Sequence, residues 1–136
     1  MKRILATHID TGSHGYYSVS KKNIRLLKLQ NEISGFSGLG LTRVYLEEDQ
    51  DGTLLHERCK QLGYDLYIKR SYNLKFNITH NYKPELFEFV PAVGKIVIVN
   101  NDEYEIIQVD NKQMIVEGVK GKYRISKYNP FKFITS

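Results

Sequence analysis

The sequence predicts an α+β chain: a small N-terminal α/β unit with two short helices over residues 1–88, followed by a small antiparallel barrel over 89–136. Three observations carry this. The first half holds two helix signatures among short β-rich runs: Ser20 ahead of an Ile/Leu stripe, and Leu54 to Leu62 closed by Gly63. After residue 90 come closely spaced β-rich runs separated by polar turns. At 136 residues, 41% hydrophobic and 26% charged, the chain suits one domain, or two very small ones, with a core that needs no disulfide.

Taken in order, Arg3 to Thr7 reads as a strand, and Tyr16 to Val19 as a second one joined to it by a loop containing Gly12 and Gly15. Ser20 is a helix N-cap, and Ile24, Leu26 and Leu27 supply the apolar stripe of a helix running towards Leu29. Ile33 to Gly40 holds three glycines and reads as a connecting loop. It lacks the Gly-Lys-Ser/Thr ending of a phosphate-binding P-loop. Leu41 to Leu46 is a strand by residue type. Thr53 is expected to cap the second helix, with Leu54, Leu55, Cys59 and Leu62 on one face and Gly63 as its stop. Tyr64 to Lys69 alternates as a strand, and Pro84 to Phe89 suits a helical turn. A boundary is expected near 82–91.

Val90 to Val99 reads as a turn feeding a strand. Tyr104 to Val109, Met114 to Val119 and Tyr123 to Ser126 follow, with turns at Asn100-Asn101-Asp102, Asp110-Asn111-Lys112 and Lys120-Gly121-Lys122. The pattern Pro91-x-Val93-Gly94-Lys95-x-Val97 and its continuation resemble an SH3-like barrel over the last third of the chain. That resemblance implies a fold and no particular activity.

Net charge is +5, with a pI of about 9.2, which permits an acidic partner without demanding one. The basic pairs Lys2-Arg3, Lys21-Lys22 and Lys69-Arg70 are short and read as solvated surface. One cysteine, Cys59, excludes an intrachain disulfide and reads as a core residue. The N-terminus lacks the apolar run of a signal peptide, and no stretch approaches a membrane span. The expectation is a soluble intracellular protein with no membrane partner. Self-association stays open.

The polar residues concentrate in two blocks, Thr7 to Tyr17 and Tyr45 to Gly52, which offer His8, Asp10, Ser13, His14, Tyr16, Glu47, Glu48 and Asp49 as candidate binding residues. His8, Asp10 and His14 with the later carboxylates are ligand types a divalent metal accepts, and a bound metal would activate water. No local motif fixes their convergence, and no cofactor fingerprint is present. Glu47-x-Asp49-x-Asp51-Gly52 opens like a calcium loop, but its twelfth position falls on Arg58, where a carboxylate is required. A turn before the second helix explains that block more simply. Ser13-His14 has no nucleophile-elbow context, so no catalytic residue is assigned. His56 and His80 read as surface residues. A third candidate is nucleic-acid binding: Tyr67, Lys69, Arg70, Tyr72 and Lys75 lie in a stretch that also holds Tyr64, Phe76, Tyr82 and Lys83, where rings stack bases and cations meet phosphates. The tail from Lys122 to Lys132 has a similar flavour.

His14-Gly15, the Leu-rich stretch Leu26 to Leu29, Ile33-Ser34-Gly35-Phe36-Ser37 and Tyr45-Leu46-Glu47-Glu48-Asp49-x-Asp51 together resemble a group of small proteins common in bacteriophage genomes. The resemblance covers residues 7 to 56. This chain has Tyr16-Tyr17 where that group often has Trp, and it adds the C-terminal barrel. No activity carries over. What the resemblance implies is a phage or prophage origin and a site of action in the bacterial cytoplasm. The resulting expectation is a non-enzymatic, counter-defence binding protein whose target is a host or defence protein, nucleic acid or a nucleotide signal. The alternatives are a metal-dependent hydrolase using His8, Asp10, His14 and the Glu47–Asp51 cluster, and a nucleic-acid-binding module.

Overall fold

The computed structural model describes residues 2–40, 42–78, 80–88, 92–99, 101–110, 113–126 and 133–135. Leu41, Phe89, Val90, Pro91, Asn100, Asn111, Lys112 and Lys132, each part of an expected element or motif, lie outside the described residues. The fold is mixed α+β, built from two five-stranded sheets and two short helices.

The first sheet comprises β1 (Arg3–Asp10), β2 (Gly15–Ser20), β3 (Gly38–Leu39), β4 (Arg43–Glu47) and β5 (Asp65–Tyr72), in the order β3-β4-β2-β1-β5. β1 pairs parallel with β5, and every other pairing in this sheet is antiparallel. β4 and β5 therefore run the same way, which requires a crossover. Helix α2 (Gln50–Leu62) supplies it. Alternation places Ile4, Ala6, Val19, Val44 and Leu46 in the core, where Leu55 and Cys59 of α2 are also buried. Burial pushes the Cys59 thiol pKa up, as suits a packing residue.

Helix α1 (Lys21–Leu26) begins as expected, with Ser20 Oγ accepting from Asn23 N–H. It ends sooner than the apolar run suggested. Lys28 takes a left-handed conformation at φ 55°, Lys28 N–H donates to Arg25 O, and Leu29 N–H donates to Ile24 O. This is a Schellman closure, sealed by the buried pair Ile24 and Leu29.

The start of α2 corrects the expectation for Thr53. The helix begins a turn earlier, at Gln50, and Thr53 lies inside it, its hydroxyl donating to Asp49 O at 2.6 Å. Glu47 performs the capping: its carboxylate accepts from Asp51 N–H at 2.7 Å and Asp49 N–H at 3.0 Å. A carboxylate at the end of β4 reaches these donors first and suits the positive end of the helix dipole. Gly63 closes the helix in the left-handed region at φ 76°, as expected. On the expected apolar face Leu62 is half exposed.

Tyr82, Leu86 and Phe87 are buried around a 3-10 turn at Pro84–Leu86, so part of the expected boundary is packed. Arg25 donates to both oxygens of Glu88, and the Tyr82 hydroxyl donates to Gln30 O. The second sheet is antiparallel throughout, with β6 (Ile96–Val99), β7 (Asp102–Val109), β8 (Gln113–Gly118), β9 (Gly121–Ser126) and β10 (Phe133–Thr135) in the order β10-β6-β7-β8-β9. Among the described side chains of this sheet, Val97, Tyr104, Ile106, Met114 and Val116 are buried. This arrangement is compatible with a small barrel-like unit.

Candidate functional site

The turn joining β1 to β2 is built by its own side chains. Gly12 N–H donates to Asp10 Oδ1 at 2.8 Å, His14 N–H donates to Thr11 Oγ1 at 3.0 Å, and the Thr11 hydroxyl and N–H both reach His14 O at 2.9 Å. Gly12 sits at φ +91°, a conformation suited to glycine. Asp10 is therefore a turn-building residue, which explains one member of the expected ligand set without a metal.

On a strand, neighbouring side chains point to opposite faces. That rule divides the polar block. His8 follows Ile4 and Ala6 towards the α2 side, where its Nε2 lies 2.9 Å from Glu48 Oε2. Its ring meets the edge of Tyr17 at 4.9 Å, and Tyr17 in turn meets His56 at 5.5 Å. Two glycines make this possible. A Cβ at Gly15 would stand 1.9 Å from Glu48 Oε2 and 2.7 Å from His8 Nε2, and a Cβ at Gly52 would stand 2.8 Å from the Tyr17 ring.

Ser13, His14 and Tyr16 take part in a different assembly. With Thr11, Leu74, Lys75, Phe76 and Asn77 they line a cleft of about 390 Å³. Residues 74–77, which follow β5, form its far wall. Phe76 packs on Tyr16 at 5.6 Å and on Tyr45 at 5.2 Å, and Ile78 fills the space beside Gly38. The structure thus joins His14 of the first block to Lys75 of the aromatic–basic stretch and separates it from His8.

The acidic block is largely structural. Glu47 caps α2, as described above. Asp51, 1% exposed, accepts from Ser34 N–H and Ser34 Oγ at 3.1 and 2.7 Å, and from Ser37 Oγ. Asp49 holds the N-cap position without a side-chain cap bond. Among the described residues, no group of three or more His, Cys, Asp or Glu side chains is placed to hold a metal ion.

Tyr67, Lys69, Arg70 and Tyr72 lie on β5, an edge strand of the first sheet, and are exposed. Arg3 stacks over the Tyr67 ring at 5.2 Å. Residues 66–83 contain Lys69, Arg70, Lys75 and Lys83 and no Asp or Glu. That acid-free run is the sequence signal that marks this wall of the cleft. In the sequence Phe76 stands only as one ring in a series, and no pattern there singles out Leu74 or Asn77.

His80 Nδ1 contacts Asn81 O, and its pKa is lowered chiefly by burial. No helix among the described residues is long and apolar enough to cross a membrane. No protein-family model, curated protein or solved structure matches the chain.

Proposed function

We propose that the chain is a non-enzymatic binding protein of bacteriophage origin, acting in the bacterial host cytoplasm on a host or defence component. The phage assignment rests on the residue pattern shared with small phage proteins between residues 7 and 56. In this reading the chain has two units, divided near residue 88, and the second is an SH3-like barrel. One observation carries the binding assignment: a preformed cleft without a carboxylate in its lining sets Ser13, His14 and Lys75 around Tyr16 and Phe76. Such a wall suits recognition of an anionic, ring-bearing ligand.

Nucleic acid is the second reading, favoured by the exposed Tyr67, Lys69, Arg70 and Tyr72 along β5, which ends beside the cleft. The metal-dependent hydrolase is less well supported, because its intended ligands lie on different faces of the sheet and Asp10 and Glu47 hold backbone N–H groups.

The test is capture from infected bacteria with the full chain, identifying bound proteins, nucleic acids and nucleotides together. A component retained by the native chain and lost with Lys69→Ser/Arg70→Ser or Lys75→Ala is the expected result. Metal-dependent turnover of phosphate esters by the purified chain, abolished by both His8→Ala and His14→Ala, would overturn the proposal in favour of the hydrolase.

A further inference from the structure

We infer that the cleft between residues 11–16 and 74–77 is a site for a single nucleoside monophosphate, with its base against Tyr16 and Phe76 and its phosphate on Lys75. The inference rests on the binding reading above and narrows it to one ligand class. Size comes first. A volume of about 390 Å³ falls at the small end of the roughly 300–1,000 Å³ typical of small-molecule sites. It accommodates one base, sugar and phosphate.

Chemistry comes second. Ser13, His14, Lys75 and Asn77 line the cleft, and their side chains make no hydrogen bond or ion pair among the described residues. Thr11, by contrast, is fully engaged in the turn. The free groups comprise one ammonium, one imidazole, one hydroxyl and one amide. A phosphate accepts from donors of the first three kinds, and a base edge suits the amide. With no Asp or Glu lining the cleft, nothing there repels an anion.

Rigidity comes third. The hydrogen bonds within residues 10–14 fix one wall before any ligand arrives. The packing of Phe76 between Tyr16 and Tyr45 fixes the other. Preorganised walls lower the ordering cost of binding. Stacking on aromatic side chains does not depend on base identity, so the site takes nucleoside monophosphates as a class.

The full chain is titrated calorimetrically with UMP, CMP, AMP and GMP. Uridine, inorganic phosphate and a ten-residue oligothymidylate serve as comparison ligands. Amide NMR shifts report the location. The expected result is saturable one-to-one binding of at least one nucleoside monophosphate, with shifts centred on Thr11–Tyr16 and Leu74–Asn77. Uridine and inorganic phosphate each bind at least tenfold more weakly. Lys75→Ala, an exposed position, weakens binding about tenfold or more. Phe76→Leu does so by a similar factor, with its fold checked by the same spectra. Equal affinity for inorganic phosphate, or no effect of Lys75→Ala, overturns the inference. Binding of the oligonucleotide alone, weakened by Lys75→Ala, also overturns it while leaving the broader binding reading in place. Silence from every ligand here, together with Lys75-dependent capture of a host protein, does the same.

Discussion

His8 Nε2 and Glu48 Oε2 meet at 2.9 Å across two strands, and they meet there because residue 15 has no side chain. The oxygen lies 1.9 Å from where a Gly15 Cβ would stand. Gly15→Ala is expected to swing the flexible Glu48 side chain into solvent and to push on the His8 ring, whose Nε2 is 2.7 Å from the same Cβ, breaking the pair and lowering stability by about 1–2 kcal/mol. Loss of the His8 imidazole hydrogen bond by nitrogen NMR, alongside urea unfolding, checks both halves. Gly118 is the contrast. Its Cβ would stand 2.6 Å from the Glu103 carbonyl oxygen, which is backbone, so Gly118→Ala should cost about 2–3 kcal/mol. Equal losses at the two positions would contradict this account.

Asp51 holds the loop before β3 to the start of α2. Asp51→Ala would leave the buried Ser37 hydroxyl and the part-buried Ser34 N–H and hydroxyl without their acceptor. The expected loss is about 3 kcal/mol in denaturant unfolding, since a carboxylate accepting several hydrogen bonds is removed. Asp51→Asn retains one acceptor and should fall between the two. A change within 0.5 kcal/mol, roughly what an unremarkable surface substitution gives, would refute the role.

Lys28 occupies the left-handed position of the α1 closure at φ 55°. Glycine adopts that conformation without strain, so Lys28→Gly is expected to raise stability by roughly 0.5–1 kcal/mol. A thermal-unfolding comparison decides it. Lys28→Val, β-branched, should lower stability.

Lys21 is buried, its Nζ has no hydrogen-bond partner among the described residues, and it lies 5.6 Å from the Phe87 ring. Burial, reinforced by the Arg25 charge, lowers its pKa from 10.5 to about 8. The folded state thus binds this proton less well than the unfolded chain does. Its disadvantage is absent above pH 10.5, grows as pH falls towards 8, and is constant below, at about 3 kcal/mol. Lys21→Met is expected to be more stable than the native chain at pH 7, with the gap narrowing as pH rises from 8 to 10. A gap independent of pH would show that packing, not charge, is responsible.

Much of the architecture was legible in the sequence because it is set locally. The Ser20 cap, the Gly63 stop, the strand alternation of Ile4 and Ala6, and the closely spaced C-terminal strands each act over a few residues. Thr53 misled because a capping donor can be satisfied from outside the local window. Glu47 at the end of β4 reached the same N–H groups. The run Leu26 to Leu29 also misled: burial of Leu27 and Leu29 continues past the helix, so apolar periodicity outlasted the hydrogen bonding.

The candidate site was legible as residues and not as partners. By itself the sequence determined an α+β chain with polar residues gathered in two blocks and a cationic, aromatic run, since composition and spacing are properties of the chain. Only the tertiary structure decided which of them meet. Strand alternation sent His8 and Tyr16 to opposite faces. The pairing of β2 with β4 brought Glu48 to His8 from 40 positions away, and the turn after β5 carried Lys75 to His14. Such meetings depend on sheet order and on side-chain direction across strands, which a linear pattern does not encode.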